Sequence, residues 1–111
     1  MQIKIWNLNG KKMDIKITAV KQISHDELIA KYENPISHPC SIKIGQEFIS
    51  KNGAKPLGLC EEAWISIKEF VEALARGEEN FFDGWMKDPK SAMISCNDGF
   101  RPVSFYIEVI K

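Results

Sequence analysis

Three cysteines are the residues of this chain best suited to chemistry, and each stands at the end of a predicted element. Cys40 precedes a predicted strand, Cys60 begins the strongest predicted helix, and Cys96 ends a strand at a predicted hairpin. A small fold tends to gather polar groups where its elements end. We therefore predict that the three sulfur atoms meet at one corner of the folded domain.

One hypothesis is that these thiols hold zinc or another transition-metal ion. Zinc takes about four ligands and prefers thiolates and imidazoles. His38, two residues before Cys40, would supply the fourth ligand. The spacing lacks the Cys-x-x-Cys pair that structural zinc sites usually contain. The alternative is that each cysteine is a small buried hydrophobe, the commonest role of a reduced cysteine.

A reactive thiol is the next hypothesis, and Cys60 is its first candidate. A thiol at a helix N-terminus faces the positive end of the dipole, which favours the thiolate. The two glutamates that follow it disfavour the anion. Near Cys96, Arg101 could clamp an anionic ligand or pair with a carboxylate and pin the hairpin. Asp98 and Gly99, in the same loop, are also ordinary turn residues. Without a positioned general base, the sequence does not decide whether the protein is an enzyme.

An aromatic-rich segment follows the long predicted helix. Phe81, Phe82 and Trp85 must pack under their own loop, or line a pocket or an interface. Trp64 stands on the apolar stripe of the helix, where a core position is expected. A pocket between the long helix and the loop 97–101 would be lined by Asp98, Arg101, Trp64 and Trp85.

The elements that position these residues follow from hydrophobic periodicity and turn chemistry. The first are a hairpin over residues 2–20 with Asn9-Gly10 at its turn, a short helix over 25–33 with a capping box from Ser24 to Glu27, and a strand over 42–50 with a kink at Gly45. A long helix between Glu61 and Gly77 follows, and then a hairpin of strands over 92–96 and 102–110. This order predicts an α+β fold with a single mixed or mostly antiparallel sheet, one long and one short helix, and N-terminal and C-terminal β-hairpins. Residues 13–111 form the predicted domain, and residues 1–12 are an extension or the first hairpin strand.

Composition restricts the class of protein. The chain has 111 residues, 44% of them hydrophobic, with 15 basic and 15 acidic side chains. These values fit one globular domain, and the neutral balance argues against nucleic-acid binding. The polar and apolar alternation of residues 1–10 predicts neither a signal peptide nor a membrane span. Three cysteines, an odd number, favour reduced thiols and a cytoplasmic location.

Three short motifs carry a family resemblance. Residues 40–48 are CSIKIGQEF, residues 56–64 are PLGLCEEAW, and residues 96–103 are CNDGFRPV. In this order they resemble a family of small uncharacterised prokaryotic proteins with a cysteine before G-x-E-F, a P-x-G-x-C-x-x-A-W helix start and a C-x-D-G-x-R-P-V hairpin. The resemblance covers about residues 14–110. The resemblance singles out the three cysteines. It implies no function, because that family has no established activity.

Three functions compete at this point. The first is a non-catalytic binding or interaction domain, with a homo-oligomer as one form of it. The second is a thiol-dependent or metal-binding protein centred on Cys40, Cys60 and Cys96. The third is a small enzyme whose pocket contains Arg101. The absence of a catalytic constellation in the sequence favours the first.

Overall fold

A computed structural model describes residues 12–35 and 41–110. In chain order its elements are β1 (Ile15–Gln22), α1 (Asp26–Tyr32), β2 (Glu47–Ser50), a 3₁₀ turn (Lys51–Gly53), α2 (Glu61–Ala75), β3 (Ser91–Ser95) and β4 (Val103–Val109). The strands form one antiparallel sheet in the order β2-β1-β4-β3. This arrangement confirms the predicted α+β class, with an antiparallel sheet and one long and one short helix.

The centre of the sheet is the antiparallel pair β1 and β4. Ile15 lies opposite Val109, and Ile17 lies opposite Ile107. Successive side chains of a strand point to opposite faces, so Ile15 and Ile17 of β1 point to the same side of the sheet. Ile15, Ile17 and Ile107 are fully buried there. An irregularity between residues 19 and 21 shifts the register near the end of β1.

Helix α2 covers this buried face of the sheet. Its apolar residues recur at intervals of three and four, which places them along one side of an α-helix. Trp64, Ile67, Val71 and Leu74 are buried there, as the stripe predicts. The core that they complete contains Ile15, Ile17, Ala19, Phe48, Leu59, Ala63, Trp64, Ile67, Val71, Leu74, Ala75, Ala92, Val103, Phe105 and Ile107.

Gly77 ends α2 as the sequence predicts. Its φ of 92° lies in the region that favours glycine. The amide of Gly77 donates to the carbonyl of Leu74 at 3.0 Å, and the amide of Glu78 donates to the carbonyl of Ala73 at 3.0 Å. These two bonds form a Schellman motif, which satisfies carbonyls at the helix end and turns the chain into the aromatic segment.

Two local expectations differ from the structure. Helix α1 begins at Asp26 with His25 as its N-cap, and the hydroxyl of Ser24 donates to the Asp26 carboxylate at 2.6 Å. The predicted capping box is therefore wrong. Strand β2 is shorter than predicted because Ile44 and Gly45 form a turn. Gly45 has a φ of 93°, and its amide donates to the carbonyl of Ala19 at 2.7 Å.

The hairpin at the C-terminal end is present as β3 and β4. The strand predicted over residues 2–8 and the Asn9-Gly10 turn lie outside the described residues and stay predictions. The two neighbours of β1 in the described part of the chain are β2 and β4. No helix within residues 12–35 and 41–110 is both long and apolar enough to cross a bilayer.

Candidate functional site

A cleft of about 530 Å³ opens where the start of α2 meets the loop between β3 and β4. This volume lies within the usual range of small-molecule sites. Within the described ranges 12–35 and 41–110, residues from three separate stretches of the chain line it. They are Ser41, Ile42, Gly58, Cys60, Glu62, Ala63, Cys96, Asn97, Asp98 and Arg101. All three family-like motifs contribute to this set.

Cys60 lies at the mouth of the cleft because it is the N-cap residue of α2. Its carbonyl accepts the first helical hydrogen bond, from the amide of Trp64 at 3.0 Å. Its sulfur makes no capping hydrogen bond and the residue is exposed. Leu59 and Ala63 on either side are buried. The core therefore anchors the backbone around Cys60 while the thiol faces solvent.

Cys96 reaches the same cleft from the end of β3. Its amide donates to the carbonyl of Val103 at 2.9 Å, and the amide of Val103 donates to the Cys96 sulfur at 3.3 Å. This pair closes the loop between the strands. Cys96 is half-buried and packs against the hydrophobic core. The structure thus brings two of the three predicted thiols to one cavity.

Asp98 shapes the loop that it belongs to. One of its carboxylate oxygens accepts from the amides of Phe100 at 2.8 Å and Arg101 at 3.2 Å. An Asp that bonds to the backbone two residues ahead stabilises a tight turn. The turn role proposed for Asp98 is therefore present. The same residue still contributes a negative charge to the cleft wall.

Arg101 is held by a carboxylate from a distant part of the chain. Its Nη1 donates to Glu33 Oε2 at 3.1 Å and forms an ion pair with Glu33 Oε1 at 2.9 Å. Both side chains are largely buried, with 25% of Arg101 and 15% of Glu33 exposed. Glu33 is the C-cap residue of α1, so the pair pins the hairpin to that helix. Because Glu33 neutralises Arg101, the cleft offers little net attraction for an anion.

A second contact joins the hairpin loop to α2. The amide of Asn97 donates to the Ser66 hydroxyl at 3.0 Å, and that hydroxyl donates to the carbonyl of Glu62 at 2.8 Å. The loop is therefore attached to the first turns of α2 on one side and to α1 on the other. These two attachments fix the position of the hairpin loop, which forms one wall of the cleft.

The remaining predicted site residues lie elsewhere. Trp64 is 8% exposed and belongs to the core, and Trp85 packs against Phe82 beyond the other end of α2. Neither lines the cleft, which corrects the expected pocket composition. Cys40 and His38 lie outside the described residues. Within the described ranges, no three His, Cys, Asp or Glu side chains are arranged to hold a metal ion.

Sequence reasoning missed Glu33 and Ser66, whose side chains attach the loop to α1 and α2. Glu33 is 68 positions from Arg101, and Ser66 is 31 positions from Asn97. No local pattern marks either pairing. Ile42 was expected within a strand, and instead lies in the non-strand segment that forms a cleft wall.

No protein-family model, curated protein or solved structure matches this chain. The family resemblance therefore stays a prediction.

We predict that Glu33→Gln destabilises the protein by about 1–3 kcal/mol, because it leaves a largely buried guanidinium without its charged partner. Urea unfolding of the full chain measures this loss. The matched control is Glu47→Gln, which removes the Glu47 carboxylate from its exposed pair with Lys16 and should cost less than about 1 kcal/mol. Equal losses in the two variants would contradict the pinning role of the Arg101–Glu33 pair.

Proposed function

We propose that this protein is a non-catalytic binding domain and that the cleft between α2 and the β3–β4 loop is its ligand site. The observation that carries the proposal is a cavity of about 530 Å³ that three stretches of the described chain line. Cavities of this size with a few convergent polar groups are the usual form of small-molecule sites. A homo-oligomer and a cytoplasmic location remain compatible with this proposal.

The fixed position of the hairpin loop supports binding. Arg101 attaches the loop to α1, and Asn97 attaches it to α2 through Ser66. A wall that is already ordered loses less conformational entropy when a ligand enters. This wall of the cleft is therefore in place before a ligand binds.

The chemistry of the walls indicates the class of ligand. Ile42, Ala63 and Gly58 provide apolar surface, while Glu62 and Asp98 add negative charge. Glu33 compensates Arg101, so the local balance is negative. Since like charges repel within a partly enclosed site, we expect a neutral or cationic ligand with an apolar body. This expected ligand class differs from the anionic ligand that a clamp at Arg101 would bind.

The lining residues also favour binding over catalysis. Among the described residues that form the cleft there is no histidine or lysine, and His25 lies at the start of α1. A thiol nucleophile generally needs an adjacent base to activate it. The cleft therefore provides contacts for a ligand rather than a dyad for nucleophilic attack.

We predict that small neutral and cationic fragments bind at the cleft, whereas anionic fragments of the same size bind much more weakly. Amide chemical shifts of ¹⁵N-labelled full chain report the site. The shifts should cluster at Ala63, Asn97 and Asp98. Fragment shifts that avoid these amides, or a preference for anions, would contradict the proposal.

A thiol reagent provides a matched control for the same experiment. In a Cys40→Ser/Cys96→Ser background, N-ethylmaleimide on Cys60 should occupy the mouth of the cleft and weaken fragment binding by about tenfold or more. The control carries Cys60→Ser and Ile65→Cys in that background, which moves the label to an exposed position on α2. The label at position 65 should leave fragment affinity unchanged.

Metal or thiol chemistry is the second candidate, and one observation favours it. Cys60 and Cys96 line the same cleft, and Ser41, which follows Cys40 in the sequence, lines it too. Two thiolates are half of a typical zinc coordination set. The other two ligands would be Cys40 and His38. In this proposal the metal would occupy the cleft and the three thiols would act together.

The metal candidate predicts that one Zn²⁺ binds per chain and protects all three thiols from an aromatic disulfide reagent. Thiol titration with and without Zn²⁺ measures the protection. Each of Cys40→Ser, Cys60→Ser and Cys96→Ser should abolish the protection of the other two thiols. Thiols that react at the same rate with and without Zn²⁺ would eliminate this candidate and leave the ligand-binding proposal standing.

A further inference from the structure

A second surface, far from the cleft, combines aromatic rings with carboxylates. Phe81 packs edge-on against Phe70 with ring centroids 5.3 Å apart, Phe82 lies 6.1 Å from Phe70, and Trp85 lies 5.1 Å from Phe82. The four rings form a continuous row beside the second half of α2. An adjoining groove is lined by Glu69, Glu72 and neighbouring residues. We call the four rings and this groove the acidic aromatic surface.

The outer part of this row is unusually exposed. Phe82 is 69% exposed and Trp85 is 44% exposed. Single exposed hydrophobic residues are common on proteins, but adjacent exposed rings in one patch often mark an interaction site. The inner rings Phe70 and Phe81 are half-buried and pack against the core, so they support the outer pair from below.

The backbone that presents these rings is strained. The φ angles are 60° at Asn80, 49° at Phe82, 53° at Asp83 and 92° at Gly84. The amide of Trp85 donates to the carbonyl of Phe81 at 3.2 Å, which closes one left-handed turn. A bulky residue at positive φ is a genuine outlier. Such strain tends to persist at functional positions, and here it holds the Phe82 ring out toward solvent.

The charge around the rings is negative. A groove of about 350 Å³ is lined by Glu69, Phe70, Glu72, Ala73, Arg76, Glu78 and Phe81. Arg76 pairs with Glu78 at 2.7 Å. Within the described part of the chain, the side-chain carboxylates of Glu69 and Glu72 have no hydrogen-bond or ion-pair partner. Residues 68–90, the segment that contains all four rings, carry six acidic and four basic side chains.

Aromatic faces and uncompensated carboxylates both attract cations. A guanidinium or ammonium group over an aromatic ring is held by the ring quadrupole, and the nearby carboxylates add charge-assisted hydrogen bonds. The four rings in contact and the adjoining groove form a surface larger than one small cation would cover. We propose that the acidic aromatic surface binds an arginine- or lysine-rich segment of a partner protein.

The test uses an oligoarginine peptide as the probe and the full chain as it exists. The indole N–H signal of Trp85 in a ¹⁵N spectrum reports the surface, with Trp85→Phe assigning the signal. We expect saturable shifts of this signal at low ionic strength, and weaker affinity as salt screens the charges. An oligoglutamate peptide of the same length should cause no shift.

Substitutions separate specific recognition from general charge attraction. Glu69→Gln and Phe82→Asn should each weaken oligoarginine binding by about fivefold or more. Glu61→Gln is the matched control because it removes one exposed carboxylate at the other end of the same helix, and it should leave the affinity unchanged. Asn tolerates positive φ better than Phe, so Phe82→Asn should keep or raise the urea midpoint while losing affinity.

Three results would overturn the proposal. The first is no shift of the Trp85 signal with oligoarginine. The second is equal weakening by Glu61→Gln and Glu69→Gln, which would mean that only overall charge matters. The third is a Trp85 shift that depends on protein concentration without peptide, which would assign the surface to a second copy of this chain.

Discussion

The packing of α2 across the central strands β1 and β4 determines where the other features of the described chain lie. Ile67, Val71 and Leu74 of the helix meet Ile17 and Ile107 in the fully buried part of the core. Burial of these side chains is the largest favourable contribution to the fold. Once the helix is fixed in this way, its two ends have fixed positions on the sheet.

Each end of α2 forms a different surface. Cys60, Glu62 and Ala63 at its start line the cleft, and Glu69, Phe70 and neighbouring residues in its second half line the acidic groove. Ala63 and Glu69, the nearest lining residues of the two surfaces on α2, are six residues apart, about 9 Å along the helix axis. Substitutions this far apart without shared partners usually have additive effects. The two proposed binding surfaces can therefore be examined one at a time in the same protein.

The sequence predicted those parts of the fold that depend on local patterns. The stripe of α2, its end at Gly77 and the alternation of β4 are set by residues close to one another in the chain. The central position of β1 was not predictable, because strand order depends on pairings such as Ile17 with Ile107 that are distant in sequence. The length of β2 was overestimated since the Gly45 turn bends the chain before the strand begins.

The candidate site was predictable in part, because some of its residues follow from local patterns. Cys60 and Cys96 reach one cleft because both stand at element ends that the core brings together. The Glu33 partner of Arg101 depends on a contact across 68 positions and has no local pattern. Trp85 was expected to line the same pocket, but in the left-handed turn after α2 it packs against Phe82 and does not line the cleft.

The central claim is that the start of α2 and the β3–β4 loop are joined, which creates the cleft. A nuclear Overhauser measurement on isotope-labelled full chain tests this most directly. The Asn97 amide lies 3.0 Å from the Ser66 hydroxyl oxygen, so its proton should be within about 4 Å of the Ser66 β-protons and give a clear cross-peak. If both signals are assigned and sharp but share no cross-peak, the loop is not attached to α2 and the cleft does not exist as described.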